Sequence, residues 1–413
     1  MTKTVTVNGR RYEWHGQPTV VICVDGFAPA YLERGLADGI LPAMAAFQTR
    51  GFVGMADGVM PSFTNPNNTS IVTGAAPVVH GVSGNYYLDR ETGKEVMVTD
   101  GHLLRCETVL AAFSQAGVKT VAVTAKDKLR LMLAHNLKGI SFSSQYADRC
   151  TLADNGIADA EKLVGRKRPE MYDPDLSLFV LDAGIRLLEN RTAELFYLSL
   201  SDWVQHAHAP GEAEANEFYK AIDQRVARLV ELDATVAITG DHGMNDKAHS
   251  DGSPNVIFLE DELNARFGRG AVRVICPITD PFVKHHGALG SFVRVYRRCR
   301  ATLDELMEAT RSLPGMELVL DGPAAAARFE LPLDREGDFV AISQTGVVIG
   351  ASSAEHDLSV LTGHRLRSHG GLSEQEVPLL LSRPLNAKYQ QIARSRRLRN
   401  FDAYEFALNG VVA

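Results

Sequence analysis

The chain has 413 residues, of which 45% are hydrophobic and 23% are charged. This is the composition of an ordinary globular protein, and it excludes a disordered chain. The length predicts two or three structural units rather than one small core. The formal net charge is −7 at pH 7, so no basic surface for nucleic acid or anionic lipid is expected.

The sequence offers no sign of export or membrane insertion. No uncharged apolar stretch reaches the about 18 residues of a membrane span, and the first residues lack the apolar run of a secretory signal. The cysteines are odd in number and form no C-x-x-C pattern, which predicts free thiols. We therefore expect a cytoplasmic protein. The five cysteines are Cys23, Cys106, Cys150, Cys276 and Cys299.

Short apolar runs rich in β-branched residues alternate with longer helical patterns along the first 240 residues. This alternation predicts an α/β fold with a mostly parallel sheet flanked by helices. The predicted helices span 104–116, 177–190 and 212–231. The predicted strands span 19–24, 120–125, 195–200 and 235–240.

Each of these four strands leads into a polar residue. The residues are Asp25, Lys126, Asp202 and Asp241. Ligands of open α/β sheets bind at the carboxyl edge of the strands, so the four side chains predict one site at that edge.

The pattern changes between residues 262 and 363. Strands are predicted at 271–275, 317–320 and 339–343, and helices at 301–312 and 324–329. We interpret 262–363 as an inserted α+β cap over the sheet edge. Residues 1–261 and 364–413 would then form the catalytic core.

Aspartate and histidine recur at the predicted strand ends. Asp241 and His242 stand between glycines, and a helix after 200 would place Asp202 and His206 on one face. Such residues suit a metal site, and an aspartate capping a turn or a histidine packed on a helix are the alternatives. Asp25 needs a partner for its buried charge, for which an arginine or a helix N-terminus would also serve.

Thr64 lies just ahead of a helix predicted to begin at residues 66–68. Its hydroxyl would then sit beside backbone N–H donors, which suits a developing phosphoryl anion. From this segment alone, a helix cap is the better interpretation.

Taken in order, these motifs resemble the alkaline-phosphatase superfamily and, within it, the nucleotide pyrophosphatase/phosphodiesterase-like branch. That branch combines a nucleophile segment T-x-P-N with I-V-T-G, P-x-x-H-G, G-N, D-x-x-x-H, D-H-G-M and a late histidine. The matching segments here are Thr64–Asn67, Ile71–Gly74, Pro77–Gly81, Gly84–Asn85, Asp202–His206, Asp241–Met244 and His369.

The resemblance implies a dinuclear zinc hydrolase in which Thr64 is the nucleophile and forms a phosphothreonine. Asn85 would donate to a phosphoryl oxygen, and His80 would order the nearby loop rather than bind metal. One zinc would be held by Asp202, His206 and His369. The other would be held by Asp25, Asp241, His242 and the Thr64 oxygen.

Departures from the branch favour a particular substrate. Asn65 replaces the phenylalanine usual in phosphodiesterases, and Lys126-Asp127-Lys128 follows a predicted strand. With His285-His286 and Arg367–Gly371, these features resemble phosphonoacetate hydrolases, which cleave a C–P bond. The substrate would then be a small phosphonate bound by Thr64, Asn85, Lys126, Lys128 and His206.

Two lysines follow the predicted strand 120–125, and strand alternation would place Lys126 and Lys128 on one face. There they would hold the carboxylate of phosphonoacetate, and two solvated lysines in a turn are the alternative. His285, His286 and His364 could approach from the cap, although ordinary core or surface positions are the default for them. A homodimer is a further possibility that the sequence leaves open.

Four alternatives compete with a phosphonoacetate hydrolase. A phosphodiesterase or nucleotide pyrophosphatase would keep every metal residue and change only the substrate pocket. A sulfatase would need a C/S-x-P-x-R segment, which the region around Thr64 lacks. A metal-dependent phosphomutase normally has a different nucleophile segment, and an inactive binding module would have lost Thr64 or a ligand.

Overall fold

The central element of the fold is a mixed eight-stranded sheet. It is seen in a computed structural model that describes residues 2–99, 101–279, 287–361 and 365–412. The sheet is mostly parallel, and Glu376–Leu381 is antiparallel to both of its neighbours. In spatial order the strands are Leu398–Arg399, Phe52–Asp57, Glu376–Leu381, Thr235–Gly240, Thr19–Val24, Leu195–Ser199, Thr120–Thr124 and Ile140–Ser143.

Helices cover both faces of this sheet, which explains why its central strands are apolar throughout. Along Thr19–Val24, Val20 and Ile22 pack into one core and Val21 and Cys23 into the other. The helices of the first face are Pro29–Ala37, Pro42–Arg50, Ala160–Val164, Asp175–Glu189, Trp203–Ala207 and Ala213–Glu231. Those of the second face are Thr64–Thr73, Val109–Gln115, Asp127–Leu133, Ala387–Ser395 and Ala403–Glu405.

A second sheet of four antiparallel strands has its own apolar core. Its strands, in spatial order, are Val272–Ile275, Phe292–Arg297, Phe339–Ser343 and Met316–Asp321. The helices packed into that core are Leu259–Phe267, Leu303–Arg311 and Gly322–Phe329.

This second sheet contacts the carboxyl edge of the central one. The Ser291 N–H donates to the carbonyl of His369 at 2.9 Å, and Phe63 belongs to the second apolar core. The predicted boundary at residue 262 falls inside the helix Leu259–Phe267. The strand Val256–Phe258 leads directly into that helix and pairs with Val348–Gly350, which lies within the predicted insertion. The division into a catalytic core and a cap stays a prediction.

The remaining elements are short. Paired strands are Lys3–Val7 with Arg10–Trp14, Tyr86–Leu88 with Glu95–Met97, and Asn245–Asp246 with Arg367–Ser368. The short helices are Pro77–His80 and Leu152–Asn155. Among the described residues, no helix has the length and apolar character needed to cross a bilayer.

The α/β fold and the four predicted core strands are confirmed. The predicted helix 104–116 is shorter, and begins at Val109 because Thr108 caps it through its side chain. All five cysteines are free thiols, as expected.

Candidate active site

Three aspartates converge at the carboxyl edge of the central sheet. Asp241, Asp25 and Asp202 follow the three adjacent parallel strands Thr235–Gly240, Thr19–Val24 and Leu195–Ser199. Each of the three is at most 4% exposed. Because burying a charge without a partner is costly, three carboxylates in one apolar edge require cationic partners.

Asp202 forms a first group with two histidines. It precedes the helix Trp203–Ala207, which brings the His206 Nε2 within 3.0 Å of the Asp202 Oδ2. His369 follows the short strand Arg367–Ser368 and completes the group. One ligand atom from each of the three residues lies within 4.8 Å of the others.

Asp202 also belongs to a second group, with Asp25 and His242. The Nε2 of His242 lies 3.3 Å from the Asp25 Oδ1. The rings of His242 and His369 stack with their centroids 3.6 Å apart, so the two groups are directly adjacent.

All three histidines turn the same ring atom toward these carboxylates. Their Nδ1 atoms lie 2.7–2.8 Å from backbone carbonyl oxygens, those of Arg367 for His206, Gly243 for His242 and Ser62 for His369. A carbonyl only accepts, so each Nδ1 carries a hydrogen and each Nε2 is the ring atom left to face the carboxylates. This orientation is the usual one for histidines that bind a metal through Nε2.

The electrostatics of these groups also call for a cation. The Oδ1 of Asp25 is buried and accepts no hydrogen bond from a described residue. Burial, with Asp202 and Asp241 nearby, raises the pKa of Asp25 well above its usual value. Burial, with His242 and His206 nearby, lowers the pKa of His369 well below its usual value. Burial lowers the pKa of His242, but the carboxylates of Asp241 and Asp25 outweigh it and raise that pKa to about 10. An orphaned carboxylate oxygen among imidazole Nε2 atoms fits a divalent metal of the zinc class, which would take the place of that proton.

Asp241 lies beside these groups and is anchored by hydrogen bonds. Its Oδ1 accepts from the N–H groups of Gly26 and His242, at 3.1 and 2.9 Å. Its Oδ2 accepts from the Asn68 Nδ2 at 3.0 Å and lies 3.7 Å from the His242 Nε2. Its role as a ligand stays a prediction.

Thr64 is at the same edge, at the start of the helix Thr64–Thr73. Its hydroxyl lies 3.3 Å from the His242 Nε2. The helix begins at Thr64 rather than at residues 66–68, because Phe63, with extended backbone, takes the capping position. Thr64 is therefore not the N-cap, and its hydroxyl faces the metal-ligand candidates.

A buried residue that sequence reasoning missed connects these parts. Asn68 donates from its Nδ2 to the Thr64 carbonyl and to the Asp241 Oδ2, at 3.1 and 3.0 Å. Its Oδ1 accepts from the hydroxyls of Tyr197 and Ser199, at 2.7 and 2.8 Å. All four hydrogen-bonding positions of the amide are thus used. The only sequence signal was its place one turn after Thr64.

Lys126 and Lys128 both line the cleft above these groups, but strand alternation is the wrong reason. The strand ends at Thr124, Lys126 is the N-cap of the helix Asp127–Leu133, and Lys128 is its second residue. The two lysines thus line the cleft from the start of this helix rather than from one face of a strand. The Nζ of Lys126 also forms an ion pair with the Asp202 Oδ1 at 3.1 Å.

Asn85 also lines the cleft. Its Oδ1 accepts from the Asn65 N–H at 3.3 Å, which leaves its Nδ2 available as a donor. The lining residues are Asp25, Thr64, Asn65, Asn85, Lys126, Lys128, Leu129, Ser199, Leu200, Asp202, Ile278 and His369.

Four other histidines were considered as site residues from the sequence, and the structure describes one of them, His80. His80 is buried, accepts from the Val82 N–H at 3.1 Å and contacts the Ser70 hydroxyl at 2.8 Å. Burial, reinforced by Arg335, lowers its pKa to about 3, so it is a neutral loop-ordering residue. His285, His286 and His364 lie outside the described residues.

The motif order and this geometry agree with comparison to known proteins. A family model described as type I phosphodiesterase / nucleotide pyrophosphatase matches residues 19–372. The chain belongs to this family. The resemblance to the alkaline-phosphatase superfamily is thereby confirmed, and so is the fold class that it implied.

Solved structures include two crystal structures of phosphonoacetate hydrolase from Sinorhizobium meliloti 1021. One is a complex with phosphonoacetate and the other a complex with phosphonoformate, at TM-scores of 0.94 and 0.95. Each is 45% identical to this chain, with 100% of both chains covered.

Other relatives are more distant or shorter. A phosphonoacetate hydrolase of Penicillium oxalicum is 53% identical over 53 residues, which is 12% of this chain and 74% of that protein. Murine ectonucleotide pyrophosphatase / phosphodiesterase 5 shares the fold, with a TM-score of 0.61, 17% identity and 96% of each chain covered.

Proposed function

We propose that this protein hydrolyses phosphonoacetate to acetate and phosphate, with Thr64 as nucleophile. The observation that carries the proposal is the full-length relative at 45% identity whose crystal structure contains phosphonoacetate. The cleft supports it, because nucleophile, amide donor and two lysines line one cavity.

Thr64 would attack phosphorus in line with the C–P bond, forming a phosphothreonine. Its position at the first turn of a ten-residue helix places the partial positive charge of the helix N-terminus at the incoming phosphoryl group. The Asn85 Nδ2 would donate to a phosphoryl oxygen, since its Oδ1 is occupied by the Asn65 N–H. Water would then hydrolyse the phosphothreonine and release phosphate.

The difficult part of the reaction is the leaving group. As the C–P bond breaks, its electron pair passes to the methylene carbon and is delocalised into the carboxylate as an enediolate, which takes up a proton to give acetate. Lys126 and Lys128 would bind the carboxylate and stabilise the charge that develops on it.

We propose that two zinc ions bind at this edge of the sheet. Their protein ligands would include Asp25, Asp202, His206, Asp241, His242 and His369. Bound there, zinc would lower the pKa of an oxygen nucleophile and neutralise phosphoryl charge. The three Nδ1-to-carbonyl hydrogen bonds keep the Nε2 atoms oriented for that role.

A phosphodiesterase activity is the second candidate, because the family model describes phosphodiesterases and nucleotide pyrophosphatases. Phosphate release from phosphonoacetate, measured beside p-nitrophenyl phosphodiesters, separates the two. Efficient diester cleavage without phosphonoacetate turnover would contradict our proposal.

The lysines provide the sharper version of this test. Lys126→Ala and Lys128→Ala should each lower phosphonoacetate turnover by about 10²–10³-fold, as loss of a transition-state donor does. Turnover of p-nitrophenyl phosphate should fall much less, since its leaving group needs no such help. Because Lys126 contacts Asp202, the metal content of each variant is the control. Equal losses on both substrates would assign the lysines to the phosphoryl or metal site instead.

A further inference from the structure

A fully buried ion pair in the second sheet reaches the loop that carries Asn85. Arg294, on the strand Phe292–Arg297, binds Glu336 in a fork, with Nε to Oε2 at 2.8 Å and Nη2 to Oε1 at 2.6 Å. Both side chains have no exposed surface. The same Nη2 donates to the carbonyl of Ser83 at 2.8 Å, two residues before Asn85.

The rest of this loop is held just as closely. The Asn85 N–H donates to the Pro277 carbonyl at 2.7 Å, and the Asn85 carbonyl accepts from the Val98 N–H at 2.8 Å. A Cβ atom on Gly84 would lie 2.7 Å from the Pro277 side chain and 3.4 Å from the Arg294 Nη1. The Ser83–Asn85 segment therefore has little freedom to move while Arg294 keeps its place.

Stability alone does not explain such a pair. Burying two charges costs about as much as their attraction returns, and hydrophobic residues of similar volume often serve as well. A forked guanidinium does fix direction, because its planar donors align with both carboxylate oxygens at once. Beyond Glu336, the hydrogen bond given for this guanidinium goes to the Ser83 carbonyl, and its buried Nη1 has no hydrogen-bond partner among the described residues.

We propose that the Arg294–Glu336 pair is a positioning device for Asn85. It holds the Ser83 carbonyl so that the Asn85 Nδ2 lies where a phosphoryl oxygen binds. The second sheet would thereby contribute to the reaction at a distance, without touching the substrate. The inference rests on the proposed function, since it acts through the role given to Asn85.

The test is a double-mutant cycle between the ion pair and Asn85. Arg294→Met with Glu336→Leu removes both charges together, so that neither is left buried alone. We expect Asn85→Ala to lower kcat/KM by about 10²-fold and the pair variant to lower it by about tenfold. In the Asn85→Ala background, the pair substitution should cost nothing further.

Two other variants keep the result interpretable. Arg294→Lys retains the charge and loses the fork, so it should recover part of the loss while folding normally. Arg90→Ala removes a neighbouring arginine that contacts the Glu336 carbonyl and Asp338 but not Ser83, and should leave kcat/KM within about twofold of the parent.

The outcomes distinguish this inference from the proposed function. Additive losses in the cycle, or a pair variant with parental kcat/KM, would overturn the positioning role. Both p-nitrophenyl phosphate and phosphonoacetate present phosphoryl oxygens to Asn85, so the cycle can be run on either. A parent enzyme that turns over only the ester would overturn the proposed substrate, and the cycle on that ester would still decide the inference.

Discussion

At the scale of single residues, this site depends on orientation rather than on composition. Aspartate and histidine were expected at the strand ends, and they are there. What gives them their chemistry is that three imidazoles each place Nδ1 against a carbonyl and leave Nε2 facing the carboxylates. Asn68 adds the connection between Asp241 and the Thr64 backbone. Several of these contacts join distant parts of the chain, as between His369 and the Ser62 carbonyl, so no local pattern predicts them.

The first prediction concerns Thr64 itself. Thr64→Ala should lower kcat by at least about 10³-fold, since the attacking oxygen is lost, whereas Thr64→Ser should keep measurable activity. Thr73→Ala, in the same helix, removes a hydroxyl that bonds only to helical carbonyls and serves as the control. Steady-state kinetics of the purified variants provide the measurement. Near-parental rates for Thr64→Ala would mean that water attacks phosphorus directly.

At the scale of elements, the helix Thr64–Thr73 carries the proposed nucleophile at its first residue and is held in place at its other end. It ends at Gly74, which adopts a left-handed conformation with φ 62°. The hydroxyl of Tyr12, from the N-terminal hairpin, packs directly against the Cα of Gly74. The amino-terminal hairpin therefore packs against the carboxyl end of the helix Thr64–Thr73.

The second prediction follows from that contact. Gly74→Ala should lower the free energy of unfolding by about 2–4 kcal/mol, because it combines backbone strain with a clash against Tyr12. Gly39→Ala is the matched control, since Gly39 has φ 69° and open space around it. It should cost only about 1 kcal/mol. Urea unfolding of both variants makes the comparison, and equal losses would show that the Tyr12 contact is unimportant.

At the scale of the whole molecule, the carboxyl edge of the sheet concentrates buried charge that the protein must neutralise. The three buried aspartates lie beside three histidines, an arrangement that a bound divalent cation would stabilise. Metal binding and folding stability should therefore be linked.

The third prediction is that exhaustive chelation abolishes activity and lowers the unfolding temperature, and that Zn²⁺ restores both. Calorimetry follows stability, and elemental analysis counts the metal. Clearly fewer than two metal ions per active chain would argue against a dinuclear site. Unchanged unfolding after complete metal removal would contradict the linkage.

The sequence by itself determined the α/β class and the central parallel strands, and it predicted which residues would carry the chemistry. These features are local: a buried strand needs a short run of β-branched residues, and a polar residue at its end is visible in the sequence. The ordered motifs then identified the family before any distance was known. Residues such as Thr64, Asp202 and His242 could therefore be named from the chain alone.

Only the tertiary structure decided how those residues act on one another. The strand Glu376–Leu381 was not among the predicted ones, and its antiparallel pairing with both neighbours depends on contacts with distant segments. The reason given for placing Lys126 beside Lys128 was wrong because a helix turn begins where the strand was expected to continue. Arg294, far along the sequence from Asn85, reaches its loop only because the second sheet packs against the carboxyl edge of the first.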